Sequence, residues 1–249
     1  MSIASRSAVC LVMNTRPLQM RALPSLGGSV LPSLRRPVQS SPGFVRQFAT
    51  SQEPADLYMK NNLEKNVSVK DKIVDLGKFI DRVELCMVTT AKGDPPALVS
   101  RCMGVAGKEQ AGVCLIFHTN RQSTKTDHLK TDPRVNVAFL DSKHGEWASL
   151  SGDASVVTDK ETLHKYYYPG LKAWFGDLND GVHDAGPDDP RIGVIRVKVT
   201  QASYAIVGEG MLGKNASEYA KDASDVPRIN KLRILSTEEL NEWRQANGV

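Results

Sequence analysis

Alternation of apolar and polar positions dominates the middle of the chain. From Val99 to Val105 the period is two, which puts Val99, Arg101, Met103 and Val105 on one face of a strand over 97–106. Val113 to Thr119 is apolar on both faces and predicts a buried strand, joined to the first by a Gly- and Lys-containing link. Ahead of these, Val69, Ile73, Leu76 and Ile80 recur at helical spacing, so a helix is predicted over 68–81 with Ser68 as its N-cap. Val83 to Thr90 reads as a strand, closed by a turn at 92–96. A short helix over 123–131, with Ser123 or Thr124 as N-cap, precedes a strand from Arg134 to Leu140. Trp147 to Val157 is a long strand with Trp147, Ser149 and Ser151 on one face. Asp159 caps a further helix, and strands at 192–199 and 203–207 meet near Thr200 and Gln201. After a Gly-rich gap, Ser236-Thr-Glu-Glu239 is a capping box for a helix to about 245. About seven strands on short, mostly antiparallel connections predict a mainly β fold: a barrel with peripheral helices, one of them N-terminal and one C-terminal.

Charge divides the chain. Residues 1–52 hold six arginines, no lysine and no acid, with Ser, Leu and Pro throughout. That composition is a mitochondrial-type targeting signature, and Arg46-Gln-Phe-Ala49 resembles a matrix processing site with cleavage after Gln47 or Phe48. The expected location is the mitochondrial matrix. Residues 53–67 are polar and read as a linker, 68–207 as the main domain, and 208–249 as an extension carrying the last helix. Beyond the leader, 26 basic residues face 28 acidic ones, which removes the charge argument for nucleic-acid binding. No run of 18 apolar residues is present, so no helical membrane span is expected. The four cysteines form no CxxC pair, and Cys86, Cys102 and Cys114 read as reduced, buried strand residues.

Candidate chemistry gathers around one stretch. Arg101 is an arginine on an otherwise apolar strand face, where a charge is costly unless something anionic meets it. Lys125 falls in the first turn of the 123–131 helix, where the helix dipole disfavours a cation and would welcome an anion. Both positions ask for a phosphate. The alternative is a carboxylate partner for Arg101 and solvent for Lys125, in a cofactor-free interaction domain. No nucleophile elbow, Walker loop or HExxH motif is present, no metal-ligand spacing occurs, and the five histidines share no motif.

Ser100-Arg-Cys-Met103, Ile116-Phe-His-Thr119, Ser123-Thr-Lys125, Asp132-Pro133, Ser149-Leu-Ser-Gly152, Lys172-Ala-Trp-Phe175 and Asp189-Pro-Arg191 follow one another in an order that resembles a known family. It is the FMN-binding split-barrel family of pyridoxamine 5′-phosphate oxidase, in its branch of general stress proteins and fungal blue-light-inducible proteins. The resemblance covers roughly 68–207. It implies a split β-barrel and a homodimer with FMN at the interface, FAD being the alternative cofactor if the pocket is open at its phosphate end. It implies that Arg101, Ser123 and Lys125 hold the phosphate, and that the backbone from Arg101 through Met103 to Val105 runs along the isoalloxazine. His118 and Thr119 close the second motif, with Thr119 bonding ring or ribityl oxygens, and Trp147 and Trp174 line the ring. The oxidases carry Arg-Lys where this chain has Thr124-Lys125, and they end in a Trp-x-x-x-Arg-Leu-His-like region that residues 203–221 do not match. Pyridoxamine phosphate oxidation is therefore not expected. The function expected is that of a flavin-dependent oxidoreductase of unknown substrate in a stress or light response, with no acid or base assigned. The alternative is a non-catalytic flavin-binding stress protein.

Overall fold

The computed structural model describes residues 56–207 and 230–249. The stretch expected to be a targeting segment and most of the Gly-rich gap lie outside the described residues. Helix α1 (Leu57–Asn62) is followed by α2 (Val69–Val83), β1 (Leu85–Lys92), β2 (Ala97–Gly104) and the short β3 (Gly107–Glu109). Then come β4 (Cys114–Asn120), α3 (Thr124–Thr131), β5 (Arg134–Asp141), β6 (Glu146–Val157), α4 (Lys160–Tyr166) and α5 (Lys172–Phe175). The chain closes with β7 (Ile192–Val207), β8 (Asn230–Leu235) and a C-terminal helix, Thr237–Ala246. The strands form one antiparallel sheet in the order β2-β1-β5-β6-β7-β4-β3, with β8 added on β7. The sheet curls until β2 comes near β4, but these two do not pair. The barrel is split there, and β2 keeps one free edge among the described residues. The fold is thus the mainly β split barrel that the alternation and the resemblance predict.

The caps read at Ser68, Asp159 and Ser236 are in place. Ser68 Oγ accepts from the Asp71 amide at 3.1 Å, and Ser236 and Glu239 form a reciprocal capping box. Helix α2 presents Ile73, Leu76, Phe79 and Ile80 to the barrel interior, where they meet Leu115, Phe117, Val137, Phe139 and Tyr204. Phe79 and Phe139 pack edge to face with centroids 6.5 Å apart. Each such side chain, fully buried, contributes roughly 1.5–3 kcal/mol. Cys86 and Cys114 are buried, and burial pushes their thiols up to about 12 and about 11. Cys102 departs from expectation: the pleat turns it outward on β2, where it is exposed.

Three further expectations change. The two last strands are one, because Thr200 is accommodated as a bulge: Gly152 pairs with Val199 and Ser151 with Gln201, leaving Thr200 over. The described part of the expected linker, residues 56–67, is not free. Asp56 caps α1, Asn62 is buried, and Leu63 bridges to Leu232 in parallel. The domain also does not end at 207. Strand β8 and the C-terminal helix bring Leu235 and Leu240 into the barrel core.

Buried polar groups fix this closure. Arg233 Nε donates to Glu64 at 3.0 Å and Nη1 to Asp75, while Lys72 meets Glu239 at 2.6 Å and the Tyr204 hydroxyl donates to the Lys72 carbonyl at 2.7 Å. Arg244 reaches the carbonyls of Val113, at 3.3 Å, and Val199, beside the bulge.

Strands β6 and β7 approach closely at the bulge, and Gly152 makes room for it. A Cβ at that position would collide with the Lys198 carbonyl, a backbone group that cannot swing aside. Gly152→Ala is therefore expected to destabilise the fold by about 1–3 kcal/mol, as overpacking does. Urea denaturation checks this, and an unchanged midpoint would show that the bulge relaxes freely.

Candidate functional site

The pleat of β2 sets the site. Arg101 and Met103 point to the half-buried side of the strand, away from Ser100 and Cys102. Arg101 lies across from Val88 of β1, at the border of the split. Its Nη1 donates to the Thr90 hydroxyl at 3.2 Å, and its Nη2 lies 3.5 Å from His128 Nδ1. No carboxylate among the described residues meets Arg101.

On the other side of the split, Thr119, the next-to-last residue of β4, is 3 % exposed, and the chain then turns into α3. Ser123 occupies the N-cap position, but its side chain makes no capping bond. Instead, Lys125 Nζ donates to Ser123 Oγ at 3.2 Å and to Thr119 Oγ1 at 3.1 Å. Lys125 is half-buried. Burial pushes its ammonium down from the ordinary lysine range, and the charge of Arg101 pushes it further. The amides of Thr124 and Lys125 have no protein acceptor among the described residues. The arrangement therefore gathers two cations, three hydroxyls and a helix start with open amides, while the one acid of that first turn, Asp127, is engaged by Lys130 at 3.1 Å. It suits a compact, doubly charged anion. The alternative with a carboxylate on Arg101 and Lys125 in solvent does not describe this geometry.

The structure brings Arg101, Thr119, Ser123 and Lys125 together, with Met103 two residues along the same face of β2. Met103 packs against the core, and its carbonyl accepts from the Cys86 thiol at 3.3 Å. The other expected residues lie elsewhere. His118 is next to Thr119 on β4, so it faces the opposite side. Its Nε2 is 2.8 Å from the Tyr166 carbonyl, its ring packs at 5.4 Å from that of Tyr168, and burial lowers its pKa. Trp174 is 56 % exposed on α5, beside the small cluster of Cys114, Ile116, Leu163 and Leu171 on that same side. Its neighbour Phe175 packs against that cluster, under the guanidinium of Arg191 at 5.8 Å. Trp147 lies half-buried on the outer face of the sheet, opposite Leu140 and Ala205, in line with Ser149 and Ser151 as the alternation predicts.

Sequence reading missed Thr90 and His128. Thr90 ends the inward-facing row of β1 after Cys86 and Val88, and His128 stands three residues after Lys125 on α3, so spacing alone could have found both. Two open grooves lie away from the cations. One, of about 570 Å³, runs over Thr89, Asn136, Ser151 and Gln201 on the outer face. The other, of about 690 Å³, runs over Arg121, Thr126 and Lys130. Neither contains Arg101 or Lys125, which sit in the split itself.

Comparison with known proteins bears on this geometry. Residues 71–223 match the family model described as pyridoxamine 5′-phosphate oxidase like. Protein bli-3 of Neurospora crassa is 47 % identical over 199 residues, spanning 80 % of this chain and 95 % of that protein. The pyridoxine/pyridoxamine 5′-phosphate oxidase of Blochmanniella pennsylvanica is 30 % identical over 92 residues, 36 % of this chain and 40 % of that enzyme. Among solved structures, the putative general stress protein 26 from Jannaschia sp. CCS1 shares the fold. Its TM-score is 0.51 at 18 % identity, covering 67 % of this chain and 98 % of that one. With the split barrel, the ordered motifs and a family match over most of the described domain in agreement, the chain belongs to the pyridoxamine 5′-phosphate oxidase-like family.

Proposed function

We propose that the protein binds FMN, with the flavin phosphate held in the split between β2 and the start of α3. The observation that carries this reading is that Arg101 and Lys125 lie at the same split and no carboxylate among the described residues is bonded to either. A phosphate monoester carries about −1.5 to −2 charges near neutrality. It therefore matches the two cations better than either phosphate of a diester-linked FAD would. Arg101, Lys125, Ser123 and the amides of Thr124 and Lys125 are the donors we assign to it. The free edge of β2 offers backbone groups to the polar rim of the isoalloxazine. When bound, the flavin supplies hydride or electron transfer, and this chain's residues anchor and orient it. We read the protein as a flavin-dependent oxidoreductase in a stress or light response, as its resemblance to the general stress protein branch implies.

The same reading includes a homodimer with the flavin at its interface. The outer face of the sheet supports it. Leu98 is 78 % exposed and Leu140 65 %, with Leu85 and Met87 also exposed on this face. The polar side chains among them are already paired: Thr89 with Ser100 at 2.8 Å, and Asn136 with Ser149 at 2.8 Å. A second copy could cover this face without orphaning those groups. The arginine-rich, acid-free leader supports import into the mitochondrial matrix. Light scattering and N-terminal sequencing of the organellar protein test both points. A dimer mass and a start after Gln47 or Phe48 are expected. A monomer contradicts the first point and a chain beginning at Ser2 the second.

Ligand discrimination tests the phosphate assignment. Charge-assisted bonds are worth roughly 1.5–3 kcal/mol each. Lys125→Ala should therefore weaken FMN binding about tenfold to a hundredfold. Binding of riboflavin, which lacks the phosphate, should stay nearly unchanged. The apo fold should hold or gain slightly, because a cation leaves the helix start and the vicinity of Arg101. Arg101→Ala should show the same selectivity and should not incur the loss of about 3–5 kcal/mol that follows when a buried ion pair is broken. Equal loss of FMN and riboflavin affinity in both variants would reject the assignment. Titration calorimetry with each flavin, together with apo melting curves, makes the measurement.

A further inference from the structure

We propose that His128 is a positioning residue for Arg101: its Nδ1 accepts from the guanidinium and aims it at the flavin phosphate without neutralising it. This deepens the FMN reading and rests on it.

Arginine has five N–H donors and no acceptor, so whatever orients it must offer a lone pair. Two uncharged-oxygen or ring-nitrogen positions stand within reach here, Thr90 Oγ1 at 3.2 Å from Nη1 and His128 Nδ1 at 3.5 Å from Nη2. The two also lie 3.3 Å from each other. Thr90 is 2 % exposed, so its hydroxyl proton needs an acceptor within the protein. One arrangement satisfies all three groups. Arg101 Nη1 donates to Thr90 Oγ1, and the Thr90 hydroxyl and Nη2 share the single lone pair of His128 Nδ1 at 3.3 and 3.5 Å. Nδ1 must then present its lone pair, with the ring proton on Nε2.

The choice of partner matters because a carboxylate would orient Arg101 equally well and would also neutralise it, cancelling its attraction for a phosphate. Thr90 and His128 leave the positive charge available. Helix α3 carries both Lys125 and, three residues on, His128, so one element supplies a phosphate ligand and the support of the other ligand. Arg101 itself stands on the edge strand, hydrogen-bonded to a neighbour on one side only. Without His128, its guanidinium keeps a single neutral contact.

The test uses the full-length protein stripped of flavin, with FMN and riboflavin as probes. His128→Ala is expected to raise the FMN dissociation constant about threefold to tenfold, the size of one modest hydrogen bond. It should leave riboflavin affinity unchanged. His128→Gln, whose amide oxygen can accept, should recover most of the loss. His128→Leu, which fills the space without an acceptor, should behave as His128→Ala does, so the test survives if the smaller side chain fails to fold. In an Arg101→Ala background, His128→Ala should change FMN affinity no further, because the two residues act as one unit. The inference is overturned by any of three results: FMN affinity of His128→Ala equal to wild type, an equal loss of FMN and riboflavin affinity, or the same loss of FMN affinity with and without Arg101. A wild-type protein that binds FMN and riboflavin alike overturns the phosphate reading, and this inference with it. A wild type that prefers FMN, paired with an indifferent His128→Ala, overturns this inference alone.

Discussion

Two cations from different elements lie where the barrel fails to close, and no carboxylate among the described residues is bonded to either. That unrelieved charge is the constraint around which the site is organised. Like charges brought together away from bulk water repel more strongly than on an open surface. Here the effect is visible in Lys125, whose ammonium is pushed down by burial and by Arg101. A fold tolerates this when an anion regularly relieves it. The split provides the access: among the described residues β2 pairs with β1 alone, and β4, which leads into α3, comes near β2 across the gap. A closed barrel would have needed a carboxylate at the same place.

The rest of the structure serves to hold that gap in shape. The bulge at Thr200, the close approach at Gly152 and the clamp of Arg244 on the Val113 and Val199 carbonyls bend the long β7 so that it pairs with β6, β4 and β8. The ion pairs of Arg233 and Lys72 tie the last strand and helix to α2 and to the segment after α1. Charge is thus handled in two ways within one domain. Around Arg233, carboxylates neutralise it and the contacts are structural. Around Arg101, neutral acceptors orient it and leave it unspent.

Much of the architecture was legible in the sequence because alternation and capping are local. The period of two from Val99 to Val105 singled out Arg101, and the helix start at Ser123 singled out Lys125. What sequence reading missed depends on partners far along the chain. Strand β8 carries Lys231 and Arg233, so it looks polar, and it becomes a strand because Glu64 and Asp75 await Arg233. The 53–67 stretch looked like a linker because its buried groups, such as Asn62, are polar. Thr200 and Gln201 looked like a junction because a bulge and a turn both break alternation. The same alternation separates His118 from Thr119, which motif order alone had grouped together. His128 carries no motif at all, and its place is set by Thr90 and Arg101, 38 and 27 residues away in sequence.

The most direct measurement is the visible absorbance spectrum of the protein purified without added cofactor, followed by identification of whatever flavin acid releases. The account predicts a yellow protein that releases FMN. A colourless protein that stays colourless after incubation with FMN would contradict it.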